Sequence, residues 1–293
     1  MFSGNPERVL SFAHRAEELG YDGVFGFDHF FPPGAAPDRP SLELFTTLGA
    51  IAVTTSRLAM GSLVTRAQLR PAGLLAKLAA ELDRLSGGRM ILGIGTGDPI
   101  DEPEHRAFGL HSLDKMERRA HLEETVRAVK ALFARERWEG GSHVPSLEGP
   151  VAPPPHRTGG PPVWLGAQAD AVIRLAGRIA DGWNGWGLRP EAFARKAAVL
   201  SAEAEAVGRE TPPEPTWAGI VLVGEDEEEA HHLAETRRSK GMPDDGLWVG
   251  GVERFAAFLG DLAGAGATWT VMVPAGPPDR VELIARAAMA TRS

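Results

Sequence analysis

Residues 71–97 read PAGLLAKLAAELDRLSGGRMILGIGTG and supply one helix, one strand and one loop in succession. Leucines recur along one face of residues 71–85, at positions 75, 78, 82 and 85, which predicts an amphipathic helix. Residues 90–94 are short and apolar throughout, as expected of a strand that is buried on both faces. The stretch therefore predicts an α/β fold with parallel strands, in which a glycine-rich loop follows this strand.

The alternation of helix and strand extends on both sides of this stretch. Seven strand candidates lie at residues 23–27, 58–60, 90–94, 163–165, 182–186, 220–223 and 269–273. A (β/α)8 barrel of the TIM type takes about 250 residues plus insertions, which this chain provides. We therefore expect one such barrel, formed by residues 1–293 as a single domain.

The eighth strand of such a barrel should precede the first helix, which Asn5 caps and Pro6 begins. Only residues 1–4 lie before that helix. We therefore expect the first strand to be short or missing, with a gap or a stub beside the strand at Val24, unless the natural N-terminus lies upstream of Met1.

Two segments interrupt the alternation. Residues 139–162 are rich in glycine and proline and carry no apolar period, so they predict an inserted loop. Residues 239–250 begin with a polar stretch, and we expect them to form a lid. In a barrel, ligands bind where the strands end, so the loops that follow the strands are the candidates for chemistry.

Composition excludes several classes of function. The net charge is −8 and no basic run is present, which makes nucleic acid an unexpected partner. The absence of cysteine excludes disulfides, thiolate metal sites and cysteine nucleophiles. The two adjacent histidines, His231 and His232, have no matching ligands elsewhere, so we expect no metal site. With neither a signal peptide nor a membrane-spanning apolar segment in the sequence, we expect a cytoplasmic protein without a membrane partner.

The residues that follow the first predicted strand include an ionisable pair, Asp28 and His29. An imidazole at a strand end can accept or donate a proton near neutral pH. The alternative is that Asp28 caps a turn and that His29 packs against its neighbours. The position at the strand end favours the functional interpretation.

Three further strand ends are rich in small residues. Residues 61–65, which include Ser62, Leu63 and Val64, would let a flat ring approach the backbone, although they also suit an ordinary loop. Gly95, Thr96 and Gly97 offer close backbone approach, and the following Asp98 offers a carboxylate or a turn. A dinucleotide fingerprint is a poor interpretation there, because Pro99 turns the chain away where a helix should open. The last turn, Gly166, Ala167 and Gln168, precedes a helix and suits either a phosphate or simple packing.

Several blocks in this order resemble the luciferase-like monooxygenase superfamily, most closely the branch that uses the deazaflavin coenzyme F420. The blocks are residues 16–24 leading to 28–30, residues 85–97, and residues 162–166 with 176–183. The resemblance implies a (β/α)8 barrel that transfers a hydride between F420 and a small organic substrate. It also implies a homodimer. A reduced-FMN monooxygenase and a non-catalytic flavin-binding barrel are the alternative functions within the superfamily, and an unrelated barrel such as a sugar-phosphate isomerase is the alternative outside it.

The resemblance also implies roles for individual residues. A cis non-prolyl peptide, expected at Ser62–Leu63, would back the ring together with Val64. Asp28 and His29 match residues that touch the deazaflavin, and His29 would carry the proton. Asp98 matches a position that is often Glu in the sugar-phosphate dehydrogenases of the branch, and Pro33 stands where those enzymes have Trp. The predicted site also includes Gly95, Thr96 and Gly97, whose backbone would approach the cofactor closely. A cofactor phosphate is expected on Gly166, Ala167 and Gln168.

Overall fold

A computed structural model of the chain describes residues 4–32 and 38–290. The chain divides into two compact units, Met1–Gly166 and Ala167–Ser293, which are described separately. The prediction of a single domain stays a prediction. In the part of the chain that is described, no helix is both long and apolar enough to cross a membrane.

The first unit is built on four parallel strands, each hydrogen-bonded to the next along the chain. They are β1 (Gly23–Gly26), β2 (Ala59–Arg66), β3 (Met90–Gly95) and β4 (Val163–Gly166). All six residues of β3 are buried, as the continuous apolar run predicts. The carboxyl ends of these strands therefore meet along one edge of the sheet.

Five helices accompany the strands of the first unit. They are α1 (Pro6–Glu18), α2 (Leu44–Thr54), α3 (Ala72–Leu85), α4 (Glu102–Ala107) and α5 (Lys115–Phe133), and short 3-10 turns lie at Ala67–Leu69 and Pro99–Asp101. The Asn5 side chain accepts a hydrogen bond from the Arg8 amide at 3.0 Å, so the predicted cap of α1 is confirmed. Of the four leucines on the predicted apolar face of α3, Leu75 and Leu82 are buried and Leu78 is half-buried, whereas Leu85 is 55% exposed, so the face is confirmed only in part.

At the amino ends of the strands, side chains hold backbone groups in place. Arg89 directs its guanidinium to the α2–β2 connection, where it donates to Leu58 O at 2.7 Å, Ala52 O at 2.8 Å and Thr55 O at 3.0 Å. The carboxylate of Glu17 accepts hydrogen bonds from the next three backbone amides of that connection, those of residues 56–58. These contacts tie α1, α2 and β3 to the start of β2.

Strand β2 corrects two of the predictions. Residues 61–65 were expected to form a loop, but they continue the strand to Arg66 with an irregular register between Ser62 and Thr65. The Ser62 hydroxyl donates to Gly93 O at 2.8 Å and accepts from Gly93 N at 3.0 Å, so it replaces part of the interrupted ladder. The non-prolyl cis peptide lies at Leu63–Val64, one residue beyond the predicted Ser62–Leu63 bond.

The second unit is also built on parallel strands. They are β5 (Gly182–Trp186), β6 (Glu214–Gly224), β7 (Leu247–Gly251) and β8 (Trp269–Pro274), and β6 pairs with each of the other three. The helices of this unit are α6 (Asp170–Ile179), α7 (Pro190–Ala206), α8 (Glu227–Ser239), α9 (Val252–Gly264) and α10 (Arg280–Ala290). A core cluster of Leu222, Ala230, Ala234 and Ala275 fastens α8 to this sheet.

All seven strand candidates are confirmed as strands, and the structure adds β7. This strand occupies the end of residues 239–250, so the predicted lid is restricted to the residues before Leu247. Residues 139–162 contain no helix or extended strand, only an isolated bridge between Trp138 and Leu147. No strand precedes α1 within the described residues 4–32, but residues 1–3 lie outside the description, as does Pro33. The predicted stub beside Val24 therefore stays a prediction.

Candidate active site

The carboxyl ends of β1 and β2 carry a buried ion pair between Asp28 and Arg70. Asp28 is 1% exposed and accepts hydrogen bonds on both carboxylate oxygens from the Arg70 guanidinium. Arg70 also donates to Glu43 Oε1 at 2.6 Å and stacks over the Phe45 ring. Burial alone would lower the pKa of Arg70, but Asp28 and Glu43 raise it above its ordinary value. Asp28 is thus engaged in a bidentate pair that fixes the loop after β1.

His29, the next residue, contacts a carboxylate that is distant in the sequence. Its Nδ1 lies 2.9 Å from Glu104 Oε2 and 3.8 Å from Asp101 Oδ1. Glu104 belongs to α4, and its second oxygen accepts the Phe30 amide at 2.6 Å. The imidazole side chain is 17% exposed, whereas the Glu104 side chain is 3% exposed. The buried Glu104 carboxylate therefore holds both the His29 ring and the Phe30 backbone amide.

Arg66, at the end of β2, lies beneath this pair. Its Nη2 is 2.7 Å from Glu104 Oε1 and its Nη1 is 3.6 Å from Asp101 Oδ1, and its side chain is 3% exposed. Its Nε and Nη1 atoms have no hydrogen-bond partner among the residues that the structure describes. Burial alone would raise the pKa of the Glu104 carboxyl, but hydrogen bonds from His29 and Phe30 and the charge of Arg66 hold it below its ordinary value. Glu104 is therefore an anion at neutral pH.

Ligand atoms of His29, Asp101 and Glu104 lie within 4.8 Å of one another, a spacing that a metal ion could use. The Arg66 guanidinium already contacts both carboxylates. A divalent cation would have to share those oxygens with a buried positive charge at close range, which is unfavourable. The arrangement is better suited to orienting an imidazole than to binding a cation.

Val64 forms an open surface at the irregular part of β2. Ser62 is fully buried and Leu63 is 8% exposed, whereas Val64 is only half-buried. Glycines on the neighbouring strands make room for its side chain, because a Cβ would lie 2.6 Å from a Val64 methyl at Gly95 and 2.8 Å at Gly166. The glycines of these strand ends thus leave room for the Val64 side chain, which remains partly exposed beside them.

The residues after β3 turn around a buried carboxylate. Gly97 has a φ of 72°, which favours glycine. A Cβ there would lie 3.2 Å from Arg66 Cδ and from Asp101 Oδ2. The Asp98 amide donates to Asp101 Oδ2 at 2.7 Å, while the Asp98 side chain is exposed and the half-buried Thr96 hydroxyl donates to Gly97 O. Asp101, rather than Asp98, is the carboxylate that this turn directs towards His29.

The predicted phosphate turn is divided between the two units, since Gly166 ends the first. In the second unit, the Ala167 amide donates to Asn184 O at 3.1 Å, so it belongs to the sheet. Gln168 is exposed and donates through its side chain to Trp186 O at 3.2 Å. Lys196 donates to Gln168 O at 2.8 Å, which places one cation beside the start of α6.

Sequence reasoning missed Glu104, Asp101 and Arg66 as site residues. Glu104 is 75 positions from His29, and no local pattern connects the two. A usable signal was present in the spacing of the two carboxylates, since residues three apart share a helix face. Asp101 and Glu104 both come shortly after the glycine-rich end of β3 in the sequence.

Residues 3–290 match the family described as luciferase-like monooxygenase, and the chain belongs to that family. A structure of an F420-dependent secondary alcohol dehydrogenase in complex with an F420-acetone adduct resembles the chain with a TM-score of 0.84 at 16% identity. The match covers 99% of this chain and 96% of that one. This likeness concerns the fold, and it confirms the predicted α/β-barrel class.

Two curated relatives match part of the chain. The F420-dependent glucose-6-phosphate dehydrogenase of Microbacterium testaceum is 33% identical over 199 residues, 65% of this chain and 56% of that protein. The 5,10-methylenetetrahydromethanopterin reductase of Methanolobus tindarius is 26% identical over 203 residues, 69% of this chain and 57% of that protein. The chain thus matches little more than half the length of these relatives.

Proposed function

We propose that the protein is an F420-dependent oxidoreductase that transfers a hydride between the deazaflavin and a small organic substrate, with His29 as the proton carrier. The observation that carries the proposal is the contact of His29 with the buried Glu104 at the strand ends. The names of the curated relatives, which include F420-dependent dehydrogenases, support the choice of cofactor.

The site has features that fit a flat, tricyclic cofactor. The apolar surface of Val64 stands over Gly95 and Gly166, which is suitable for backing a ring. We propose that Leu63, Val64 and the segment 95–97 hold the ring, with Asp28 positioning the adjoining loop. A phosphate at the start of α6 stays a prediction. There the amides after Ala167 would bind it, because the Ala167 amide is already donated to Asn184; Lys196 lies beside them, paired with Asp170 at 2.9 Å.

When bound, F420 supplies a ring carbon that accepts or donates a hydride. The chain itself must handle the accompanying proton. With the Nδ1 proton directed to Glu104, the neutral imidazole of His29 carries its lone pair on Nε2, where it accepts a proton from a substrate hydroxyl or returns one to a carbonyl. Glu104 stabilises the charged imidazole that results, and Arg66 keeps Glu104 ionised. Arg66 is therefore a positioning residue.

The test begins with binding of F420 and FMN to the purified chain, measured side by side by fluorescence. We expect F420 to bind and FMN to bind at least tenfold more weakly. His29→Ala should leave F420 affinity within about threefold and reduce turnover roughly 100-fold or more. Tight FMN binding without F420 binding would favour the monooxygenase alternative. Turnover that survives in His29→Ala would remove His29 from the mechanism.

The homodimer that the family resemblance implies and the cytoplasmic location expected from the sequence both stay predictions. Sedimentation of the purified chain tests the first, and fractionation of the source cells tests the second.

A further inference from the structure

The segment from Pro99 to Phe108 has an inverted pattern of burial. Its apolar side chains Ile100 and Phe108 are 56% and 54% exposed, whereas Asp101, Glu104 and His105 are 4%, 2% and 4% exposed. A helix selected only for stability buries its apolar face and leaves charges in water. This segment does the reverse, so stability of the fold does not explain its sequence.

The buried polar side chains of this segment are accounted for by the site. Glu104 and Asp101 face His29 and Arg66. Burial and then the neighbouring Arg66 lower the pKa of His105, so this imidazole is neutral at pH 7. Within residues 4–32 and 38–290, its buried Nε2 has no hydrogen-bond partner. Such desolvation is unfavourable and is retained where a site requires the groups.

Of the exposed apolar side chains, Phe108 lies beside the same site, and Ile100 directly precedes Asp101 in the sequence. The Phe108 ring is 4.5 Å from the Phe30 ring between centroids and 6.5 Å from the Phe31 ring, which is itself buried. Phe30 directly follows His29 and donates its amide to Glu104. The partly exposed face of Phe108 therefore continues an aromatic cluster that begins one residue from the proposed proton carrier.

The charges around His29 disfavour an anionic ligand. The cluster contains two guanidinium groups and four carboxylates, those of Arg66, Arg70, Asp28, Glu43, Asp101 and Glu104. Among these six groups the carboxylates outnumber the guanidinium groups by two. Both guanidinium groups already contact carboxylates, so neither offers an uncompensated charge to a phosphate.

We propose that Ile100 and Phe108 form an apolar subsite, and that the substrate is an uncharged alcohol or carbonyl compound whose hydrocarbon part lies against them. The proposal rests on the proposed function for the reaction, but the subsite itself is defined by binding. It distinguishes this chain from an enzyme for sugar phosphates. A hydrocarbon group covering Ile100 and Phe108 would remove from water the apolar surface that the fold leaves exposed.

The test is a binding series that does not depend on turnover. Secondary alcohols from 2-propanol to 2-octanol, and glucose 6-phosphate, are titrated by calorimetry into the wild-type chain with and without F420. We expect each added methylene to tighten binding about threefold to fourfold until the subsite is filled. Glucose 6-phosphate should bind more weakly than the longest alcohol.

Two variants locate the effect. Phe108→Ser and Ile100→Ser should each weaken 2-octanol binding roughly tenfold and change 2-propanol binding by less than about twofold. The matched control is Val53→Ser on α2, since Val53 is 65% exposed and outside the site, and it should leave the whole series unchanged. Using both site variants protects the test against one that fails to fold.

Three results would overturn the proposal. The first is a wild-type chain whose affinity for the alcohols does not rise with their length. The second is tighter binding of glucose 6-phosphate than of 2-octanol. The third is a dimer that dissociates in both variants while their affinities for the alcohols stay unchanged. An equal loss of F420 affinity in Phe108→Ser would assign the residue to the cofactor instead. If F420 does not bind the wild-type chain at all, the proposed function fails, while the alcohol series without cofactor still decides the subsite.

Discussion

The two ends of the strands in the first unit use arginine in different ways. At the amino end, the Arg89 guanidinium has an acceptor for every N–H direction, namely the carbonyls of Ala52, Thr55, Leu58 and Ser86 and the Thr55 hydroxyl. At the carboxyl end, Arg66 faces two carboxylates, and in the described part of the chain its Nε and Nη1 have no hydrogen-bond partner.

This difference separates stability from chemistry. Hydrogen bonds to backbone carbonyls fasten elements together and leave no charge available for a ligand. The pair of carboxylates that shares the Arg66 guanidinium is less favourable for folding. It nevertheless holds the ionised Glu104 in contact with the His29 imidazole. The same division, with structural contacts below and catalytic groups above, is general for parallel barrels. A substitution or a change of pH can perturb one end of the strands without the other.

The largest expected effect is on stability at the amino end. Arg89→Met removes five hydrogen bonds and leaves four carbonyl groups without that donor. We expect the free energy of unfolding to fall by about 3 kcal/mol, measured by urea denaturation. Turnover per folded molecule should stay within about twofold of wild type. A stable Arg89→Met protein with impaired turnover would contradict the division.

At the carboxyl end, Glu104→Gln should impair turnover more than folding. The amide still accepts from His29 but carries no charge to stabilise the imidazolium, so we expect kcat to fall roughly 50-fold. The control is Glu102→Gln on the same short helix, whose side chain is 40% exposed and pairs with Arg106. Steady-state kinetics of both variants test this, and equal effects would indicate that the helix rather than Glu104 matters.

The glycine beneath Val64 supplies a steric test. Gly95→Ala would place a Cβ 2.6 Å from a Val64 methyl, and we expect a loss of stability of about 1–2 kcal/mol. The control is Gly260→Ala in α9, where a Cβ meets nothing within 4 Å and helix formation favours alanine. Thermal unfolding of the pair measures the difference. A fully stable Gly95→Ala protein that binds F420 normally would show that Val64 has other room.

The stability of the wild-type chain should depend on pH through Glu104. Its pKa is lowered on folding, so its stabilisation is complete above the ordinary Glu pKa of about 4.3 and is lost as the pH falls through the lower folded value. Urea denaturation between pH 7 and the acid limit should show a smaller loss in Glu104→Gln than in the wild type. Identical pH profiles would exclude this linkage.

The smallest effect is expected at Asp98, the carboxylate that the sequence singled out. Its side chain is exposed, and its backbone contacts Asp101 through the amide, which donates to Asp101 Oδ2, and through the carbonyl, which accepts the Asp101 amide. Asp98→Asn should therefore change stability by less than about 0.5 kcal/mol and turnover by less than about threefold. Asp101→Asn is the matched comparison, and it should have the larger effect on turnover. The opposite order would return Asp98 to the mechanism.

Much of the fold was predictable because its signals are local. The Asn5 cap of α1 and the apolar run of β3 each appear within a few residues and are confirmed, and the leucine period of α3 is confirmed except at its end, where Leu85 is exposed. The candidate site was only partly predictable. The strand-end rule directed attention to His29, but the contact of His29 with Glu104 joins residues 75 positions apart.

The sequence by itself determined the family, the order of helices and strands, and the strand ends where chemistry is expected, because hydrophobic period and turn chemistry depend on neighbouring residues. Only the tertiary structure decided that β2 continues to Arg66, that the cis peptide lies at Leu63–Val64, and that Asp101 and Glu104 rather than Asp98 face His29. These features depend on strand register and on the packing of α4 beside the strand ends. Register and packing between distant segments are set by the whole core, and no local pattern encodes them.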